Sequence, residues 1–349
     1  MVGCVFIAFL MVFTGIYFMA YNLMSGYPYF SYTLSGSLIV FIVGIPLITM
    51  RSFSEERKNK TDQLLLTAPV SLGKVVMGKY LAIVTVIAIP NVIFCIYPLI
   101  IKSQGTAYLM VDYISILVFF LLGCVYAAIG MFLSSLTESQ IIAFISTFGI
   151  LLVLYLWDGI LSMLPSSALS GLVGVLIILS VAAFYIWQMT GNAVLAGAIE
   201  IIGAAAGIIT YIVRSSLFEN LLSNLLGRLA LANVFTDITS NSIVDITGIV
   251  LYLSFIAVFV FLTVQAIQKR RWVKGVRIME RMKKAKGNIG KMFRTSGTRH
   301  GAYSVGLTVI VIAIIIVINL VAGQIPEAYR NLDVSSTKIY DISDTTTEL

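Results

Sequence analysis

Apolar residues run through this chain in blocks, with short polar pieces between them. A helix needs about 20 apolar residues to cross the hydrocarbon core of a bilayer. Blocks of roughly that size lie at 2–24, 34–50, 79–101, 113–136, 140–161, 169–189, 193–213, 244–267 and 302–322. The predicted fold class is therefore all-α: a polytopic integral membrane protein of about eight helices followed by one C-terminal helix. The blocks divide the chain into a membrane domain over 1–268, a basic linker over 269–300, a C-terminal anchor over 301–323 and a polar piece over 324–349. That last piece reads as the start of a domain outside the membrane.

Composition agrees with lipid as the solvent. Of 349 residues, 59% are hydrophobic and 11% charged, with a mean hydropathy of +0.99. Soluble domains carry roughly 25% charged residues. Of the 23 Lys and Arg residues, six lie between Arg51 and Lys79 and twelve between Lys269 and Arg299. Basic loops beside spans follow the positive-inside rule, so both segments are expected in the cytoplasm and no nucleic-acid partner is expected. Nine crossings from a cytoplasmic N-terminus satisfy that rule and leave the C-terminal tail outside the cell membrane.

Catalytic chemistry finds little support. Cys4, Cys95 and Cys124 lie inside apolar blocks without metal-ligand spacing. "GKVVMGKY" (73–80) nearly spells a phosphate-binding loop, but Tyr80 stands where a Ser or Thr would hold magnesium, and no strand precedes it. His300 lacks partners for a metal site or a triad. No enzyme activity, cofactor or metal is expected.

Three polar pieces carry helical patterns. "RSSLFENLLSNLLGRLALANVF" (214–235) repeats Leu every fourth residue and predicts an amphipathic helix, either lying on the outer membrane face or packed against the spans. "KRRWVKGVRIMERMKKAKGNIGK" (269–291) predicts a basic helix held to anionic lipid. "RSFSEERKNKTDQLLLTAPVS" (51–71) predicts a short helix over 54–66. In that helix Ser54 is the expected N-cap, and Glu55 and Glu56 favour the positive end of the helix dipole. Glu56–Lys60 and Lys58–Asp62 are spaced to pair, and Pro69 ends the segment.

The same stretch, "EERKNKTDQLLLTAPVS" followed by "GK" at 78–79, resembles the cytoplasmic loop of ABC-2 type exporter permeases. Glu55, Glu56, Thr61, Leu64, Leu65, Leu66, Thr67, Pro69, Gly78 and Lys79 match that pattern, while Lys60 replaces its Gly and Gln63 its Glu. "GCVFIAFLMVFTGIYFMAYNL", "SSLTESQIIAF" and "LYLSFIAVFVFLTVQAIQKRR" resemble the first span, second cytoplasmic turn and last span of the gliding-motility-associated branch. "INLVAGQIPEAYRNLDVSSTKIYDISDTT" resembles the membrane anchor of that branch's auxiliary protein, with Asp333, Ser335, Tyr340 and Ser343 in register. The resemblance implies a permease fused to the beginning of that extracytoplasmic partner. It also implies a separate ABC ATPase subunit, gripping Glu55, Glu56, Arg57, Lys58, Thr61, Gln63, Leu64 and Leu65, and a second permease completing a homo- or heterodimer.

One acid falls near mid-depth of a block. Glu200 shares a helical face with Ala193, Ala196, Gly203, Gly207 and Thr210, small residues that mark a helix contact. It reads either as a polar site on a transport path or as an acid bonded to a neighbouring helix. Two other functions compete with the permease: a proton-coupled secondary transporter using Glu200, and a non-transporting anchor for an outer domain. The absence of a second central acid weighs against the first.

Overall fold

The computed structural model describes residues 2–62, 70–163, 165, 167–190, 193–221, 226–227, 230–284, 310–311, 313–326 and 330–333. In chain order the helices are α1 (Val2–Phe18, continued by a π-helical turn over Met19–Met24), α2 (Ser31–Thr49), α3 (Ser54–Lys58) and α4 (Leu72–Phe94). Then come α5 (Tyr97–Gln104), α6 (Leu109–Leu136), α7 (Gln140–Tyr155), α8 (Trp157–Ser162), α9 (Ala168–Thr190) and α10 (Ala193–Val213). A 3-10 turn at Ser215–Phe218 precedes α11 (Leu231–Asn241), strand β1 (Ile243–Asp245), α12 (Ile246–Lys284), α13 (Ala313–Gly323) and strand β2 (Asn331–Asp333).

Two compact units result, one formed by 1–152 with 232–349 and the other by 153–231. In the larger unit α6 is the centre, with 72% of its apolar window buried, against 22% for α1 and 28% for both α4 and α12. α2 packs on α6 closely enough that a Cβ on Gly130 would collide with the Thr49 hydroxyl. Phe41 of α2 stacks on Phe119 of α6 at 4.2 Å between ring centres. α2 is also largely buried, at 61%, whereas most of the surface of α1, α4 and α12 is apolar and exposed, as lipid-facing helices require.

Polar contacts place the helix ends. Asn22, past α1, donates to the carbonyls of Tyr27 and Tyr29 and accepts from Thr33 in α2 at 2.6 Å. Asp112, in the first turn of α6, accepts from the N–H of Phe30 and Ser31 at the start of α2. The far ends of α2 and α6 meet in turn, through Ser134 and Met50. α2 and α6 therefore run parallel between the two ends of the unit, and α1 runs antiparallel to both.

By length and composition, five described helices can cross a membrane: Val2–Met24, Ser31–Lys58 (α2 with α3), Leu72–Gln104, Leu109–Leu136 and Ile246–Gln268. Shorter apolar helices, Gln140–Tyr155, Ala168–Ile177, Glu200–Val213 and Ala313–Gly323, fall where the remaining blocks predicted spans. Several boundaries differ from the apolar blocks. α4 begins at Leu72 rather than 79, because Gly73, Lys74, Gly78 and Lys79 continue the helix without adding apolar character. The block at 140–161 breaks at Leu156.

The helix expected over 214–235 does not form as one piece: Asn220 adopts φ 55° after the 3-10 turn, which interrupts helical hydrogen bonding. Leu222, Leu225 and Leu229 lie outside the described residues. α12 carries on from its span through the basic segment as a single helix of 39 residues.

Two three-residue strands interrupt the all-helical picture. β1 pairs antiparallel with β2, with Val244 opposite Leu332. Asp245 also accepts from Thr247 N at the start of α12, and Arg330 lies 3.6 Å from its carboxylate. Asn319 of α13 donates to Ser254 of α12 at 2.9 Å. The chain beyond α13 is thus fastened to the end of the unit where α12 begins.

In the smaller unit α9 and α10 form a hairpin. Gly203 makes room for Leu179, which a Cβ would approach to 2.6 Å. Trp157 Nε1 donates to the Leu226 carbonyl at 2.8 Å, tying α8 to the end of the unit's chain.

Candidate functional site

The chain leaves α2 at Thr49, turns over 50–53 and re-enters a helix at Ser54. A new helix start leaves backbone N–H groups without intrahelical acceptors. Ser54 does not cap them, contrary to the sequence expectation. It is the first residue of α3, and its hydroxyl donates back to the Met50 carbonyl. The tight turn aims that hydroxyl at α2, so the cap comes from another helix. Ser134 Oγ, in the last turn of α6, accepts from Phe53 N at 3.2 Å and Ser54 N at 3.3 Å, and donates to Met50 O at 3.0 Å.

α3 is five residues long, not the thirteen expected, and its end explains why. Lys60 N donates to Arg57 O at 3.1 Å and Thr61 N to Glu56 O at 2.9 Å, while Lys60 itself has φ 59°. This pair of bonds around a left-handed residue is the Schellman ending, in which glycine is the usual occupant of the position Lys60 fills. The departure from the exporter pattern at Lys60 therefore falls on a left-handed backbone, the one such position among the described residues of the loop. The turn also prevents the expected Glu56–Lys60 pairing. Gln63, Leu64 and Leu65 lie outside the described residues.

Consecutive side chains of α3 reach in different directions. Glu56 pairs with Lys79 of α4 at 2.5 Å. Lys79 also donates to the Ser52 carbonyl and stands 4.4 Å over the ring of Phe53, which is buried. Arg57 Nη1 donates to the carbonyls of Ser135 and Thr137 at 2.7 and 2.8 Å. Its other arm lies 3.4 Å from Glu138, just before α7. The last turn of α6 has no basic residue of its own, and its carbonyls form the negative end of a helix dipole. Arg57 supplies the missing cation. One short helix is thereby fixed to α2, α4, α6 and the approach to α7, which lets a displacement at α3 act on several spans together.

The pattern of spans meets a family-level comparison here. The model of the ABC-2 family transporter proteins matches residues 6–322.

The chain belongs to the ABC-2 family of transporter proteins. No curated protein and no solved structure matches it. The ABC-2 match starts within α1 and ends in α13, so it takes in the C-terminal helix that the sequence expected as a fused anchor. Of the site residues the exporter resemblance named, Lys58 and Thr61 are exposed, Glu55 and Glu56 half-buried, and Arg57 is turned into the α6 end.

Elsewhere in this ABC-2 transporter, Glu200 accepts from Ser180 of α9 at 2.8 Å and remains partly exposed. Among the described residues the fully buried acid is Asp112, whose Oδ1 accepts from Phe30 N at 2.7 Å and Ser31 N at 3.3 Å. Asp112 lay at a block edge, where the apolar pattern offers no sign of a cap for a helix 80 residues earlier. Ser134 and Lys79 were legible only as parts of motifs, not as partners of α3. Tyr80, in the near-match to a phosphate loop, is buried in α4 and donates to the Cys124 carbonyl at 3.2 Å. Ser335, Tyr340, Ser343 and His300 fall outside the described residues.

Proposed function

We propose that this chain is the permease subunit of an ATP-driven exporter, with α3 receiving the movement of a separate ABC ATPase subunit. ATP hydrolysis belongs to that partner, and this chain supplies the path and the attachment point. The observation that carries the reading is the opposite engagement of neighbouring residues, Glu56 with α4 and Arg57 with α6. A conformational change imposed from outside needs a rigid element tied to the spans that move. The cytoplasmic position of α3 follows from the basic segments 51–79 and 269–299, which share one side under the positive-inside rule. A second permease completes the working pair. The likeness of the first span and of "SSLTESQIIAF" to the gliding-motility-associated branch supports placement there.

Glu200 fits a structural role in this scheme, since its carboxylate is already engaged by Ser180 within the α9–α10 hairpin.

The test is co-purification in detergent followed by reconstitution. An ATP-hydrolysing subunit is expected to elute with the wild-type chain and to be lost when residues 54–62 are scrambled. Substrate movement in vesicles that follows a proton gradient without ATP would overturn the reading.

A further inference from the structure

The acids of α3, which a sequence reading offers to the ATPase, are turned to intrachain work. Glu56 is held by Lys79 at 2.5 Å. Glu55 is half-buried in the first turn, where the helix dipole favours it. Asp62 is half-buried and makes an interaction within the chain. Arg57 is occupied by the α6 carbonyls. What remains at the surface is the Schellman turn itself: Lys58, Asn59, Lys60 and Thr61 are all exposed. Two ammonium groups two residues apart project from this turn of fixed geometry, with Arg51 and Lys74 also exposed along the elbow.

We infer that the ATPase subunit presents an acidic cleft to this turn, and that Lys58 and Lys60 are the residues it reads. The inference rests on the proposed permease function and names the chemistry of its contact. Charge complementarity selects an acidic protein surface. A lipid headgroup layer would need no fixed turn, whereas this one is closed by the Lys60 N–Arg57 O and Thr61 N–Glu56 O bonds, on a helix that Ser134, Lys79 and Arg57 anchor. Exposed complementary charges steer encounter and are weakened by salt, and like charges brought face to face oppose binding.

The experiment uses the full chain, purified in detergent with the ATP-hydrolysing subunit that elutes with it, followed by ATP hydrolysis retained per chain across a salt series. Lys58→Glu with Lys60→Glu is expected to lower retention on the order of tenfold near physiological salt. Lys58→Gln with Lys60→Asn is expected to lower it less and to flatten the salt dependence, because Asn tolerates the left-handed backbone. Lysine substitutions in the acidic cleft of the ATPase should restore binding to the doubly reversed chain. Lys102→Glu, at the opposite end of the unit, is the control.

Unchanged retention and salt dependence in the reversed chain, with loss on scrambling 54–62, would overturn the acidic cleft and leave the permease reading standing. Absence of any ATPase from the wild-type preparation would instead remove the permease reading. If reversal left the ATPase in place but abolished binding to phosphatidylglycerol vesicles, the turn would serve lipid and the inference would fall.

Discussion

Replacing Arg57 separates two explanations for how α3 is held. Its Nη1 makes two charge-assisted bonds to backbone carbonyls at 2.7 and 2.8 Å, while the contact to Glu138 is 3.4 Å long and reaches a side chain that is 75% exposed. A hydrogen bond to a charged group contributes about 1.5–3 kcal/mol. An exposed ion pair contributes about 0–1 kcal/mol. Arg57 itself is 13% exposed, so little of the carbonyl interaction is lost to solvent, though carbonyls freed at a helix end regain some water. Arg57→Ala should therefore cost about 2–4 kcal/mol at the α3–α6 junction.

Arg57→Lys should cost roughly half as much, because a single ammonium cannot reproduce the fork. Glu138→Gln should cost under about 0.5 kcal/mol. Amide hydrogen exchange at Phe53, Ser54 and Thr61 reads this directly. With 1.4 kcal/mol per factor of ten, Arg57→Ala should accelerate exchange by about 30- to 700-fold. If Glu138→Gln accelerated exchange as much as Arg57→Ala, the ion pair and not carbonyl capture would be the fastening, and the account given for α3 would be wrong.

Four further outcomes follow from the geometry. Lys60→Gly should slow exchange at the Lys60 and Thr61 amides, since a left-handed conformation costs a side-chain-bearing residue about 1–2 kcal/mol, partly offset by the freer unfolded chain. Asp112→Ala should destabilise the start of α2 by about 2–4 kcal/mol by stranding two N–H groups, whereas Asp112→Asn should cost under about 1 kcal/mol; thermal unfolding in detergent distinguishes them. Cysteines at Val244 and Leu332, in a chain freed of Cys4, Cys95 and Cys124, should cross-link on oxidation and hold the halves together after cleavage at a protease site inserted between 284 and 310. Glu200→Gln should keep ATP-driven transport within about twofold of wild type, because Gln can still accept from Ser180; a tenfold loss would return the residue to the transport path.

What the sequence made legible was the apolar part. Blocks of hydrophobic residues mark where lipid must be, and α1, α2 and α6 appear close to where those blocks lie. Helix ends were less visible, since Lys74 and Lys79 extend α4 with residues that look like a loop. The partners of α3 were invisible for a different reason. Arg57 binds backbone carbonyls, which every residue has, so no side-chain pattern points to Ser135 or Thr137. Ser134 and Asp112 each complete a helix about 80 residues away in the chain, a distance over which periodicity says nothing. The strand at 331–333 depended on a partner at 243–245, whose last two residues the block pattern assigned to a membrane span. Lys60 shows the same limit: the spacing placed it inside the 54–66 helix, paired with Glu56, whereas its φ of 59° makes it the left-handed end of that helix.

Because α6 completes the hydrogen bonding of both α2 and α3, Asp112 at one extremity and Ser134 at the other, the two long helices behave as a riveted pillar. The rivets are about 33 Å apart along the axis, a little more than the roughly 30 Å of hydrocarbon between them. Sliding α2 along α6 by one helical turn, about 5.4 Å, would shear both rivets at once. Whatever opens and shuts in this molecule must therefore move around that pillar rather than along it, with α1, α4 and α12 packed on its outside and most of their surface turned to lipid.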